Sequence, residues 1–309
     1  MIHWIKAARL RTLPLSMSGI IIGSFLAKWR LGEHYQFWDW QIFALAMLVT
    51  LLYQVLSNFA NDYGDGIKGT DEFRDPLAER RAVASGHISH QQMKIAVIIL
   101  SILSLAATIL LLYKSFFPDF MKEFYIFIGL GILSILAAIG YTIGKRPYGY
   151  LGLGDIMVFI FFGIVSVCGS YFLFTKTWSW DILLPATAVG MMSMAVLNLN
   201  NMRDIVSDER SGKKTLALRL GFKYAMIYEI VLLQIPLLLI LVFLMINNFQ
   251  TQGKYYAFIV MVLIFPVMAV RRRIMEVKEP RDLDPFLKQI GLLTLVMAIL
   301  LAFGLNYFK

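Results

Sequence analysis

Nine apolar runs, each near the length that crosses a bilayer, constrain this chain more than any single motif does. They lie at about 12–29, 41–61, 94–113, 124–143, 154–174, 182–202, 224–246, 255–270 and 287–307. A helix that crosses the hydrocarbon core needs about 20 predominantly apolar residues. Only the run at 255–270 is short. The strands of a membrane barrel would instead alternate in segments of about ten residues, which these continuous runs do not. Of the 309 residues, 59% are hydrophobic and 16% charged, and the mean hydropathy is +0.68. That leaves too little polar surface for a soluble globule of this length. The expected fold is all-α: a polytopic membrane protein of about nine transmembrane helices, forming a single domain over 1–309.

The net charge of +9 is topological rather than a nucleic-acid footprint. Threading the runs through a bilayer puts most Lys and Arg on the side of the N-terminus. By the positive-inside rule, the N-terminal arm and segments 62–93, 144–153, 203–223 and 271–286 are cytoplasmic, and the C-terminus is outside. Lys6, Arg9 and Arg11 precede the first run, and Lys28 and Arg30 follow it with no small-residue cleavage pattern. It therefore reads as a retained span, with Pro14 tolerated in its first turn. A bacterial cytoplasmic membrane is the expected location. The single cysteine, Cys168, forms no disulfide within the chain and reads as packing.

Two stretches carry the chemistry. The second run ends in NFANDYGDGIKGTD, from Asn58 to Asp71. Asn58, Asn61, Asp62 and Asp65 are spaced to share one helical face. Gly64, Gly66 and Gly69 are expected to stop the helix there, leaving Asp71 in a loop. Such residues also make an ordinary solvated turn. Aspartates at a helix C-terminus, however, oppose the macrodipole and call for a compensating cation. The sixth run ends in NLNNMRDIVSDERSGKKTLALRL, from Asn198 to Leu220. Asp204 and Asp208 are expected to stack on one face, with Asn201 and Asn198 on the preceding turns.

Both clusters fall on the same membrane face, so together they make a polyvalent-cation site. Mg²⁺ suits it better than Ca²⁺, because Mg²⁺ binds through a few carboxylates together with substrate phosphates. No Cys or His cluster offers Zn²⁺ a place. Arg74, Lys213 and Lys214 are the candidate diphosphate contacts; Arg80 and Arg81 lie in the same mixed-charge loop as Arg74. The loop YTIGKRPYGYLGLGD, Tyr141 to Asp155, suits an aromatic anion, with Lys145, Arg146 and Tyr141 as its contacts, or else is a tight turn with topogenic charges. Gly152 and Gly154 are no dinucleotide fingerprint, since they sit between membrane spans. His87 and His90 read as surface residues beside a helix start at Ser89.

The paired NDYGD and RDIVSD segments at the ends of the second and sixth runs resemble the UbiA superfamily of intramembrane aromatic prenyltransferases. The resemblance extends over essentially the whole chain. LRTLPLSMSGIIIGS, NFANDYGDGIKGTD, YGYLGLGDIMVFIFFGIVSVCGSYF and NNMRDIVSDERSGKKTLALRLG are similar to the branch that prenylates 1,4-dihydroxy-2-naphthoate in menaquinone synthesis. It implies nine helices around a central cavity with a cytoplasmic cap and a lateral opening for an isoprenoid tail. It further implies Mg²⁺-dependent transfer from a polyprenyl diphosphate, with loss of CO₂ and diphosphate.

Asp62, Asp65, Asp204 and Asp208 are then the catalytic metal ligands, with Asp71, Asn58, Asn61, Asn198 and Asn201 in support. Asp71 departs from the commonest pattern, which has its third acid where this chain has Gly69. The expected partners are the two substrates and membrane lipid, with no nucleic acid and no obligatory protein partner. Two rival functions remain. A prenyltransferase for 4-hydroxybenzoate would share every acid, and the acceptor assay separates it. A cation-coupled transporter would show flux without turnover, yet its acids belong near the bilayer midplane.

Overall fold

The computed structural model describes residues 2–32, 38–69, 81–250 and 255–306, with the side chains of 248–250 excepted. Among these residues the chain is helical with no strand. A short α1 (Ile2–Ala7) leads into α2 (Leu13–Leu31), which carries Pro14 in its first turn. Next come α3 (Trp40–Lys68), α4 (His90–Phe116) and α5 (Met121–Gly140). Then α6 (Gly154–Val158) runs through a π-helical stretch, Phe159–Cys168, into α7 (Gly169–Thr175). The chain continues with α8 (Leu183–Arg203), α9 (Ile205–Arg210) and α10 (Leu216–Gln250). It closes with a 3₁₀ stretch (Tyr255–Leu263) entering α11 (Ile264–Met275), and with α12 (Asp284–Asn306).

Local chemistry sets several of these boundaries. Asp39 caps α3 by accepting from the Gln41 amide at 2.6 Å. Ser89 opens α4 with a reciprocal capping box to Gln92, the start the sequence indicated. α10 bends at Gly221, whose φ of 72° needs the freedom glycine has.

Among the described residues, eight helices are long and apolar enough to cross a membrane. The ninth expected span, 255–270, differs from the others. Its first nine residues form a 3₁₀ helix, and twelve more, Ile264–Met275, continue as α11. At roughly 2.0 Å per residue the first part gives about 18 Å, and at 1.5 Å the second gives about 18 Å more. The helical segment therefore reaches past the apolar run, to Met275, and its 3₁₀ start adds a few ångströms.

Packing follows membrane logic, in which small residues let helices approach because lipid supplies no hydrophobic drive between them. α8 is the central helix: Ala186, Ala188, Val189, Ala195 and Leu199 are fully buried. A methyl on Gly163 would meet the Ala186 carbonyl at 2.7 Å, so the π-helical stretch lies directly on α8. On the outside, α4 presents Ile95, Ile98, Ile99 and Ile102, and α5 presents Leu133 and Leu136, as an exposed apolar surface suited to lipid. At the membrane face opposite the acid motifs, Arg30 of α2, Asp181 and Asn247 of α10 form one hydrogen-bonded knot.

Candidate active site

The first acid motif sits on an unbroken helix, which corrects the sequence reading. α3 runs through Gly64 and Gly66 and stops at Gly69, whose φ of 65° is left-handed. The first two glycines serve contact rather than termination. A methyl on Gly64 would lie 2.5 Å from Thr142 Oγ1, and one on Gly66 2.6 Å from a Val83 methyl. Thr142 completes the junction by donating to the Ala60 carbonyl at 3.0 Å.

Asn58, Asp62 and Asp65 therefore share one buried face, with Asn61 half-buried beside them. Asn58 is held from the N-terminal side: its amide donates to Ala8 O at 2.8 Å and Thr12 Oγ1 at 3.3 Å. Asp62 accepts the backbone amides of Ala82 and Val83, both at 3.2 Å. Asp65 accepts the Tyr150 hydroxyl at 2.7 Å and pairs with Arg81. Asp71 and Arg74, with Arg80, lie outside the described residues.

The second motif is built differently. α8 ends at Arg203, and Asp204 sits at the joint with α9 (φ −92°, ψ 10°), so Asp204 and Asp208 do not lie on one regular helix as the spacing suggested. The Asp208 amide still bonds the Asp204 carbonyl at 2.9 Å, which keeps the two acids one turn apart. Arg203 forks the Asp204 carboxylate with two bonds of 2.8 Å. Asp208 is buried with Lys213 Nζ at 3.7 Å. Lys214 is exposed. Asn198 donates to the Ala225 carbonyl at 3.0 Å and to Glu229 at 2.9 Å. Asn201 is buried, and among the described residues its Oδ1 has no hydrogen-bond partner.

One loop fastens the two motifs together. Tyr150, which binds Asp65, accepts the Lys214 amide on its carbonyl at 3.0 Å. Its ring lies beneath Lys68 at 4.0 Å and Lys213 at 5.7 Å. Arg219 donates to the Leu151 carbonyl at 2.8 Å. At Gly152 a methyl would meet the Lys214 carbonyl at 2.7 Å, so glycine lets the two loops touch.

Arg81 stands at the centre of the assembly. Burial pulls its guanidinium below the ordinary range, against the opposing pull of Asp204, Asp62 and Asp208, which all lie within electrostatic reach. Tyr141 faces the same place: burial raises its phenol, with Lys213, Asp208, Asp155 and Arg81 around it. Lys145 and Arg146, expected beside Tyr141 at an acceptor, are exposed on the turn. Tyr150 and Arg203 are not among the sequence candidates, and Arg81 enters there only as a basic residue of the loop that carries Arg74. The available signal for Arg203 was its place directly before Asp204, and for Arg81 its place in the loop that follows the first acid motif.

Among the described residues, no three Asp, Glu, His or Cys side chains converge closely enough to form a metal cage. Arginines stand beside the acids: Arg81 pairs with Asp65 and Arg203 with Asp204. The donor set still fits Mg²⁺, which keeps waters and needs only one or two carboxylates besides substrate phosphate. The unpartnered Asn201 Oδ1 is a buried oxygen donor of the kind such an ion requires.

The UbiA prenyltransferase family profile matches residues 31–290. The chain belongs to this family. It is 38% identical to a 1,4-dihydroxy-2-naphthoate octaprenyltransferase of Haemophilus influenzae, covering 98% of this chain and 95% of that one. It is likewise 38% identical to the enzyme of that name from Escherichia coli, over 98% and 94%. A UbiA homolog from Archaeoglobus fulgidus, solved bound to GPP and Mg²⁺, superposes with a TM-score of 0.66 at 14% identity, over 97% of this chain and 99% of that one. The two acid clusters of this UbiA-family chain thus lie on a fold already known in solved structures.

Proposed function

We propose that this UbiA-family protein transfers a polyprenyl group from a polyprenyl diphosphate to 1,4-dihydroxy-2-naphthoate, releasing diphosphate and CO₂ and giving a demethylmenaquinol. The observation that carries the reading is the fastening of both acid motifs around Arg81 by Tyr150, which makes one polar end from residues far apart in sequence. The names of the high-coverage relatives support the acceptor.

Asp62, Asp65, Asp204 and Asp208 would hold Mg²⁺, with Asn201 Oδ1 as an oxygen donor and Asn58, Asn61 and Asn198 orienting the helices that carry them. Held by these residues, a Mg²⁺ ion would supply positive charge to offset the charge that grows on the leaving diphosphate as the allylic C–O bond breaks. Arg81 and Lys213 add fixed positive charge at the same end, where a poorly solvated site strengthens it. The exposed Lys214 extends that charge, and Arg74 is proposed from the sequence as a further diphosphate contact. Tyr141 lines the boundary with the acceptor. The ring carbon bearing the carboxylate attacks the allylic cation, forming a C–C bond. The carboxylate then leaves as CO₂, and its bonding electrons restore the aromatic ring.

In this reading the N-terminus and both acid motifs are cytoplasmic and the C-terminus is outside, in a bacterial inner membrane. The deciding experiment incubates the detergent-purified protein with Mg²⁺, a polyprenyl diphosphate and dihydroxynaphthoate, following prenylated product and released CO₂. Product with 4-hydroxybenzoate but none with the naphthoate overturns the acceptor assignment.

A further inference from the structure

Arg203 is nine-tenths buried, and its guanidinium is shared between the second acid cluster and the start of the last helix. Nε and Nη2 take the two oxygens of Asp204 at 2.8 Å. Nη2 also donates to Asn200 Oδ1 at 2.9 Å, and Nη1 donates to Asp284 Oδ1. A guanidinium carries five N–H donors, so these four bonds nearly exhaust it and fix its plane. Asp284 is the first residue of α12, where a helix N-terminus favours a carboxylate. Its side chain is half exposed, and it also accepts from Arg11 Nη1 at 3.3 Å.

The charge count explains why a second carboxylate matters. A bidentate arginine cancels the charge of the carboxylate it grips, and a cation would then find Asp204 already neutralised. A further anion on the same guanidinium draws part of its charge away from Asp204 and holds the fork in place, while the exposed Arg11–Asp284 pair offsets little of this in water. We infer that Asp284 is a positioning residue for the divalent-cation end of the site, acting on Asp204 through Arg203. It belongs to neither acidic motif. The inference rests on the assignment of Asp204 to a bound divalent cation.

Three substitutions separate charge from geometry. Asp284→Asn keeps a hydrogen-bond acceptor for Arg203 but removes the charge, Asp284→Glu keeps the charge, and Asp284→Ala removes both. The binding readout is Mn²⁺ titration of the purified protein with inorganic diphosphate, followed by electron paramagnetic resonance, which needs no acceptor. Asp284→Asn is expected to weaken Mn²⁺ binding about tenfold, and to raise the half-saturating Mg²⁺ for turnover about as much, within the range for residues that orient metal ligands. At saturating Mg²⁺ its kcat stays within about twofold of wild type, and Asp284→Glu recovers most of the affinity. Arg11→Gln, which breaks only an exposed ion pair, shifts neither by more than about twofold.

Wild-type Mn²⁺ affinity in both Asp284→Asn and Asp284→Ala overturns the inference. So does an Asp284→Ala protein that loses thermal stability and kcat with its Mn²⁺ affinity intact. If Asp284→Asn weakens Mn²⁺ binding while no naphthoate is prenylated, the acceptor assignment fails and the role of Asp284 stands. A wild type that binds no Mn²⁺ in the presence of diphosphate overturns both.

Discussion

The two acid clusters reach the same membrane face by opposite means. Asp62 and Asp65 ride a continuous helix and are closed from outside it, by the amides of Ala82 and Val83 and by Arg81. Asp204 sits at a helix joint with Asp208 one turn beyond it, and the two are closed from within, by the neighbouring Arg203 and by Lys213. The first cluster is therefore rigid in its acids and dependent on a loop for its countercharge. The second carries its countercharge on its own chain and depends on a remote helix, through Asp284, to balance it. In both, arginine occupies the electrostatic role that aspartates at a helix end require.

The sharpest test of this pairing removes one acid from each side. Asp62→Ala and Asp208→Ala should each lower turnover by roughly 10³-fold or more, the scale for losing charge stabilisation in a transition state. Size-exclusion profiles should remain those of the folded protein. Near-normal turnover in either variant would remove that cluster from the metal site.

The arginines should differ in what they do to stability. Arg81→Ala strands the buried Asp65 carboxylate and should cost about 3–5 kcal/mol, read by thermal unfolding in detergent. Arg203→Ala leaves Asp204 more accessible to water, with 13% of its side chain exposed against 4% for Asp65, and should cost less. Equal losses would mean that the loop and the helix joint are equally fixed.

Tyr150→Phe removes the hydroxyl that ties the two clusters together. A hydrogen bond to a charged group is worth about 1.5–3 kcal/mol, so kcat/KM should fall about tenfold or more. If only stability changes, Tyr150 fastens loops and does not set Asp65.

The smallest effects come from the glycines. Gly64→Asn forces a side chain into Thr142 and should cost about 1–3 kcal/mol. Gly212, beside the second cluster, has φ 72°, and among the described residues nothing lies within 4 Å of an added methyl. Asparagine tolerates that left-handed backbone, so Gly212→Asn should stay within about 1 kcal/mol of wild type. The reverse order would contradict the difference between a contact glycine and a turn glycine.

These glycines also mark where the sequence could be read and where it could not. Gly64, Gly66 and Gly69 look alike in a string, and propensity makes all three helix breakers; only Gly69 ends α3. The other two are decided by Thr142 and Val83, whose positions propensity does not contain. The 255–270 run was legible as apolar, but its 3₁₀ start was not, because apolar content does not distinguish a 3₁₀ from an α turn. Lys145 and Arg146 read as an anion site by composition and lie exposed, while Tyr141 from the same loop turns inward.

The sequence by itself determined the class, the membrane, the family and the two acidic ends. Apolar run length is fixed by bilayer thickness, and spacings of three and four are fixed by the helix, so both are local and survive without coordinates. The tertiary structure alone decided which cation meets which acid: Tyr150 reaches Asp65 across 85 positions and Arg203 reaches Asp284 across 81. Ion pairs and hydrogen bonds fall off within a few ångströms. Their partners are therefore chosen by how the helices pack, and no periodicity along the chain encodes that choice.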